Sequence, residues 1–158
     1  MERESKNPSS VNENPEQPIL EDLITNFSKQ RFDYVFKEVN KLLLDYPKSF
    51  KLWNILGAIN TQMHKTQDAM QCYEKTLDLR PDYAEAHNNL GNLLKTDSQH
   101  EKAIISYEKA LEIKPELYEA TYNIGVIFQE REDYVLAVQN YLKVLDINPI
   151  HRDTLVNL

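Results

Sequence analysis

Four prolines, Pro47, Pro81, Pro115 and Pro149, stand 34 residues apart, and the chain's three glycines, Gly57, Gly91 and Gly125, keep the same interval. A fixed period in the range of about 20 to 50 residues marks a chain assembled from copied units, and this length suits two helices joined by a turn. Each unit in such an array touches only its neighbours, so the core is long and thin rather than central. The period therefore predicts an all-α solenoid of antiparallel helix pairs.

Three full units align without a gap, at residues 50–83, 84–117 and 118–151. In each, apolar residues return every three or four places in two blocks, the pattern of two amphipathic helices. Residues 16–49 fit the same frame through Val35, Val39, Leu42 and Pro47, but Asp22 and Leu23 stand where the later units have Leu-Gly or Ile-Gly. This reads as a degenerate first repeat, with helices over about Gln17–Lys29 and Phe32–Asp45; end units are expected to depart from the pattern because one side lacks a neighbour. Residues 1–15 form a flexible polar leader with little to bury. Residues 152–158 begin a further, truncated repeat that stops one position before its glycine.

A glycine inside a helix costs about 0.5–1 kcal/mol relative to alanine, so three in register need a reason. Close helix contact supplies it, and the small residues Ala69, Ala103 and Ala137 are the expected opposing partners. Tyr73, Tyr107 and Tyr141 recur on the second helices, each followed three places on by a smaller residue, Thr76, Ala110 or Val144, to fill the seam. Each second helix ends before a proline, which lacks a backbone donor and clashes with the preceding turn. Trp53 is expected to anchor the core, with truncation to alanine costing about 3–5 kcal/mol.

These residues resemble the tetratricopeptide repeat family, whose pattern runs aromatic, Leu-Gly, Ala, aromatic, Ala, Pro. The columns read Trp53, Leu56, Gly57, Ala69, Tyr73, Thr76, Pro81; then His87, Leu90, Gly91, Ala103, Tyr107, Ala110, Pro115; then Thr121, Ile124, Gly125, Ala137, Tyr141, Val144, Pro149. The resemblance implies a right-handed superhelix whose first helices line a concave groove for extended peptides or partner segments. It places Asn54, Ile55, Asn88, Asn89, Tyr122, Asn123, Val156 and Asn157 toward that groove, with Asn92 and Lys95 beside them. Asn89, Asn123 and Asn157 keep one phase, and a carboxamide both donates and accepts, so this ladder could read a peptide backbone whatever its side chains. In that respect the array is similar to the repeat arm of the O-linked N-acetylglucosamine transferases. The basic set with which chaperone-tail binders of the family clamp a terminal carboxylate is missing, since Asn54, Ala58, Glu119 and Asn123 stand in its places.

Composition narrows the function classes. A formal net charge of −7 supplies no positive field for nucleic acid or an anionic membrane, and no stretch approaches the roughly 18 apolar residues of a membrane span. The lone Cys72 cannot form an internal disulfide, and the leader has no apolar run to serve as a signal, so a cytoplasmic location is expected. His64, His87, His100 and His151 make no metal-ligand spacing, and no nucleophile or phosphate-loop motif is present; no catalytic residue, metal or cofactor is expected. His87, in the column of Trp53, reads as a packing residue, as does Cys72. Among groove-side charges Glu85, Glu119 and Asp153 outweigh Lys51 and Lys95, which points to a polar or weakly basic peptide partner.

The function read from the chain is a non-catalytic scaffold for protein–protein contacts. Two alternatives stand beside it: an arm that presents substrate to a glycosyl-, sulfo- or methyltransferase domain beyond Leu158, and a module that self-assembles through an uncapped end carrying Tyr141, Leu142 and Leu145.

Overall fold

The computed structural model describes residues 13–158, so residues 1–12 of the polar leader lie outside it. The described residues form nine helices and no strand. Four pairs follow one another: α1 (Gln17–Ser28) with α2 (Phe32–Asp45), α3 (Phe50–Gln62) with α4 (Thr66–Leu79), α5 (Ala84–Thr96) with α6 (His100–Ile113), and α7 (Tyr118–Glu130) with α8 (Tyr134–Ile147). A short helix, α9 (Arg152–Asn157), begins a fifth unit. Asn14 and Pro15, at the end of the leader, are tied down: Ser49 Oγ donates to Asn14 Oδ1 at 2.8 Å, and Pro15 is buried.

The turn inside each pair has one construction. Gln30, His64, Ser98 and Glu132 occupy it with φ between 57° and 62°, the left-handed region in which a side chain costs about 1–2 kcal/mol. Backbone bonds hold each of them there. In the second pair Lys65 N–H donates to Asn60 C=O at 2.8 Å and His64 N–H to Thr61 C=O at 3.1 Å, the 6→1 and 5→2 bonds of a Schellman cap. The equivalent bonds recur at the other three turns.

Between pairs, proline does the terminating. The residue before each one, Tyr46, Arg80, Lys114 or Asn148, still donates to the carbonyl four back at 2.8 Å. Its own φ of −125° to −143° and ψ of 60° to 86° have left the helical region, as the proline ring requires of its predecessor.

The glycines allow close approach, but the side chain each one meets first is a tyrosine rather than the expected alanine. A Cβ built on Gly57 would lie 2.6 Å from Tyr73 Cε1, and one on Gly91 2.6 Å from Tyr107 Cε1. On Gly125 it would lie 2.7 Å from Tyr141 Cε1, with the Ala137 carbonyl at 3.4 Å. Each tyrosine ring lies flat over a bare stretch of first helix and is almost fully buried. Ala69, Ala103 and Ala137 are buried too, and serve mainly to let that ring pass.

Trp53 is only half-buried, packed on the edge of the core while its Nε1 donates to the Pro47 carbonyl at 2.9 Å. The fully buried anchors of the same helix are Leu52 and Ile59. His87 makes the bond equivalent to that of Trp53, with Nε2 2.9 Å from the Pro81 carbonyl. It is a packing residue that closes the preceding turn.

Candidate functional site

First helices approach one another directly, α3 against α5 and α5 against α7, more closely than second helices do. The array therefore curves with first helices on the inside, and their exposed sides line a groove. Asn54, Asn88, Asn89, Asn92, Lys95, Tyr122, Asn123 and Asn157 are all half-buried on those helices.

Most of these side chains are stitched to the neighbouring repeat. Asn89 Nδ2 donates to Asn54 Oδ1 at 3.5 Å, Asn123 Nδ2 to Asn92 Oδ1 at 3.0 Å, and Asn157 Nδ2 to the Tyr122 hydroxyl at 3.3 Å. Asn123 is committed at both ends, because Lys95 Nζ donates to its Oδ1 at 2.6 Å. The ladder thus spends its donors inside the chain. Asn89 Oδ1 accepts no hydrogen bond among the described residues, so at that rung the groove offers an acceptor for a peptide N–H. Asn88 Oδ1 is buried and has no hydrogen-bond partner among the described residues.

The core tyrosines reach through to the same surface. Tyr107 OH donates to Asn92 Oδ1 at 2.8 Å and Tyr141 OH to Gln129 Oε1 at 2.5 Å, while Tyr73 OH lies 3.5 Å from Thr61 Oγ1. Burial pushes the Tyr73 phenol up to about 12 and raises those of Tyr107 and Tyr141 as well. Groove polarity is therefore wired to core packing: Asn92 receives both the Tyr107 hydroxyl and the Asn123 amide.

Charge in the groove differs from a tally of residues. Glu85 lies 3.4 Å from Lys114, and Glu130 lies 3.5 Å from His100 Nε2. Lys51 and Lys95 form no ion pair among the described residues. Burial lowers the Lys95 ammonium, partly offset by the field of Glu130. Glu119 and Asp153 likewise form no ion pair among the described residues, so the groove keeps unpaired charges of both signs.

Sequence reasoning passed over the first seam. Leu20, Ile24 and Phe27 of α1 and Ile55 and Ala58 of α3 wall a cavity of about 350 Å³, and only Ile55 and Ala58 stood out in the chain itself. The signal was in the columns: Leu20, Ile24 and Phe27 stand at the positions of Asn54, Ala58 and Thr61 one repeat on.

Cys72 is buried, and burial pushes its thiol up to about 11, so it is protonated at neutral pH and packs as a small apolar group. At the other end, Tyr141 is almost fully buried under α7 and bonded by Asn157, not left bare. The exposed apolar residues there include Tyr134, Val135, Val138 and Leu142 of α8, Ile147 and Ile150 after it, and Leu155, Val156 and Leu158 at the end of the chain.

Comparison with known proteins agrees with this architecture. Two tetratricopeptide repeat profiles match, one over residues 48–116 and one over residues 118–151. The chain belongs to the tetratricopeptide repeat family, a class of helical scaffolds for protein contacts. Among solved structures it is similar to MamA: one crystal structure has 25% identity and a TM-score of 0.75, covering 83% of this chain and 77% of that one. MamA from Desulfovibrio magneticus RS-1 gives 21% identity and a TM-score of 0.74, over 89% of this chain and 79% of that one. The second likeness is one of fold alone. No curated protein matches the chain. No helix among the described residues is long and apolar enough to cross a membrane.

Proposed function

We propose that the groove binds an extended segment of a protein partner, with asparagines of the first helices meeting its backbone. The observation that carries this reading is the run of half-buried carboxamides and amine along adjacent first helices, Asn54, Asn88, Asn89, Asn92, Lys95 and Asn123. Polar groups held partly desolvated and oriented by cross-repeat bonds lose little freedom on binding. Adjacent first helices lie on the order of 10 Å apart, and an extended chain rises about 3.3 Å per residue. Each first helix therefore meets every third peptide residue.

Because Asn89 already donates to Asn54, its role is to accept a peptide N–H. Asn123 Oδ1 already accepts from Lys95 and keeps one further lone pair for a peptide N–H, while Lys95, if released, becomes available to a partner carbonyl or carboxylate. The reading is tested by panning a random linear peptide library against the chain and mapping the best binder by hydrogen exchange. Protection confined to α3, α5 and α7, with binding weakened about tenfold in Asn89→Ala/Asn123→Ala, supports it. Protection on the second helices instead refutes it.

A second reading, self-association, is favoured by α8. Tyr134, Val135 and Leu142 are exposed there, whereas the same columns in α4 and α6 hold Thr66 and His100, Gln67 and Glu101, Glu74 and Glu108. Sedimentation across a concentration series, native against Val135→Glu/Leu142→Glu, separates this contact from the groove.

A further inference from the structure

The cavity at the α1–α3 seam differs in chemistry from the rest of the groove. Leu20, Ile24 and Phe27 of α1 and Ile55 and Ala58 of α3 give it an apolar lining, to which Gln17, Asn54 and Tyr83 also contribute. One repeat on, the α1 positions become Asn54, Ala58 and Thr61, and a repeat later Asn88, Asn92 and Lys95. Ile55 likewise becomes Asn89, then Asn123 and Asn157. The groove thus has an apolar end and an amide end, and the change falls between α3 and α5.

The apolar end is also held open. Ile24 remains 56% exposed although it lines the cavity together with Ile55. At about 350 Å³, the space lies at the small end of the range for pockets that enclose a ligand group. On its rim stands Lys51, in the first turn of α3, where the helix N-terminus adds positive potential. The nearest repeat equivalent, Glu85, is occupied by Lys114 at 3.4 Å, so the charge of Lys51 is uncompensated by an ion pair among the described residues.

We propose that this slot seats one bulky apolar side chain of the bound segment, and that Lys51 pairs with a carboxylate next to that side chain. The proposal rests on the groove reading above and adds to it a partner class: an extended segment with an apolar anchor and an acidic flank at one end, followed by residues read only through their backbone. An anchor at one end fixes register and direction, which a ladder of amides cannot do because every peptide unit looks alike to it. At this end the expected partner charge is the opposite of the one inferred from residue counts over the whole groove, because Lys51 stands on the rim of the slot without an ion pair among the described residues.

The test uses the whole chain and a display library of random linear peptides. Selected sequences are expected to converge on Leu, Ile, Met or Phe with Asp or Glu within two positions. The synthetic form of the best binder should then lose at least tenfold in affinity against Ile24→Glu, a change at an exposed position that leaves helicity and melting intact. Lys51→Glu should shift the flanking preference of a repeated selection from acidic to basic.

Convergence without an apolar residue, or equal affinity for Ile24→Glu, overturns the slot while leaving the groove reading in place. Peptides that protect only the second helices, or no enrichment at all, overturn both. If instead the native chain gains mass with concentration and Ile24→Glu does not, the slot is an interface between copies of this chain and the peptide proposal is wrong.

Discussion

Replacing Gly91 by alanine sets two effects against each other, and the geometry decides between them. Alanine is favoured over glycine within a helix by about 1 kcal/mol. Against that, the new Cβ would stand 2.6, 2.8 and 3.0 Å from Cε1, Cδ1 and Cζ of Tyr107, well inside the normal contact of about 3.5–4.0 Å between carbon atoms. The ring cannot swing clear, because it is fully buried and its hydroxyl is bonded to Asn92 at 2.8 Å. Overpacking of a filled core costs about 1–3 kcal/mol, and a lost hydroxyl bond adds about 1 kcal/mol. The terms combine to a net loss of about 2 kcal/mol at the array's central pair.

Urea unfolding followed by far-ultraviolet circular dichroism measures this loss. A solenoid need not unfold in one step, so hydrogen exchange on α5 and α6 accompanies it to localise the change. The steric origin has its own signature: in a Tyr107→Leu background the same Gly91→Ala change should be much cheaper, which a double-mutant cycle reports as a coupling. A Gly91→Ala protein as stable as the native one, or more stable, would refute the reasoning, because helix propensity would then outweigh contact.

Three further outcomes follow from the same structure. Ser98→Gly, at φ 57° in an exposed turn, should stabilise the chain by about 0.5–1 kcal/mol through relief of left-handed strain, seen as a higher urea midpoint; a lower midpoint contradicts the strain. Trp53→Ala should cost about 1–2 kcal/mol, less than the about 2–5 kcal/mol of Leu52→Ala, because Trp53 is half-buried and Leu52 fully so; the reverse order in parallel denaturation would restore Trp53 as the anchor. With Tyr73 raised from an ordinary 10.0 to about 12, the folded state holds a proton that the unfolded chain releases between those values. Its contribution is therefore whole below pH 10 and is lost as pH rises through about 12, with Tyr107 and Tyr141 shifted the same way. Phenolate absorbance should lag the pH until the chain unfolds, and three phenols titrating near 10 in a folded protein would disprove it.

Much of the fold was legible because a repeat shows each requirement several times. The prolines mark where second helices stop, and the pre-proline backbone leaves the helical region at all four sites. The turns between the two helices of each pair were not legible: Gln30, His64, Ser98 and Glu132 share a left-handed conformation but no residue type, and none is the glycine that would have announced it. In the groove, position along the helix could be read but pairing could not. Lys95 meets Asn123 across 28 positions, which depends on how one pair stacks on the next, and Tyr107 meets Asn92 across 15, which depends on how the two helices of one pair close. A count of charges could not show that Glu85 and Lys114 meet, which happens only once α5 and the end of α6 are brought together.

The degenerate first pair shows what the glycine column is for. Where later units hold glycine and tyrosine, this one holds Leu23 and Val39, buried to 2% and 0% exposure. The space between the two helices is filled in both cases, but from opposite sides: by the second helix in the later units, by the first helix here. A leucine on the first helix holds α1 off α2, and these two pack less closely than the helices of the three later pairs. Valine also has no hydroxyl to send through to the inner surface, so α1 has no counterpart of the Tyr107–Asn92 bond. With that polar link gone, the inner face of α1 carries Leu20, Ile24 and Phe27 in place of amides. One exchange of core residues thus accompanies both features that set the first repeat apart, its looser helix pair and the apolar inner face of α1.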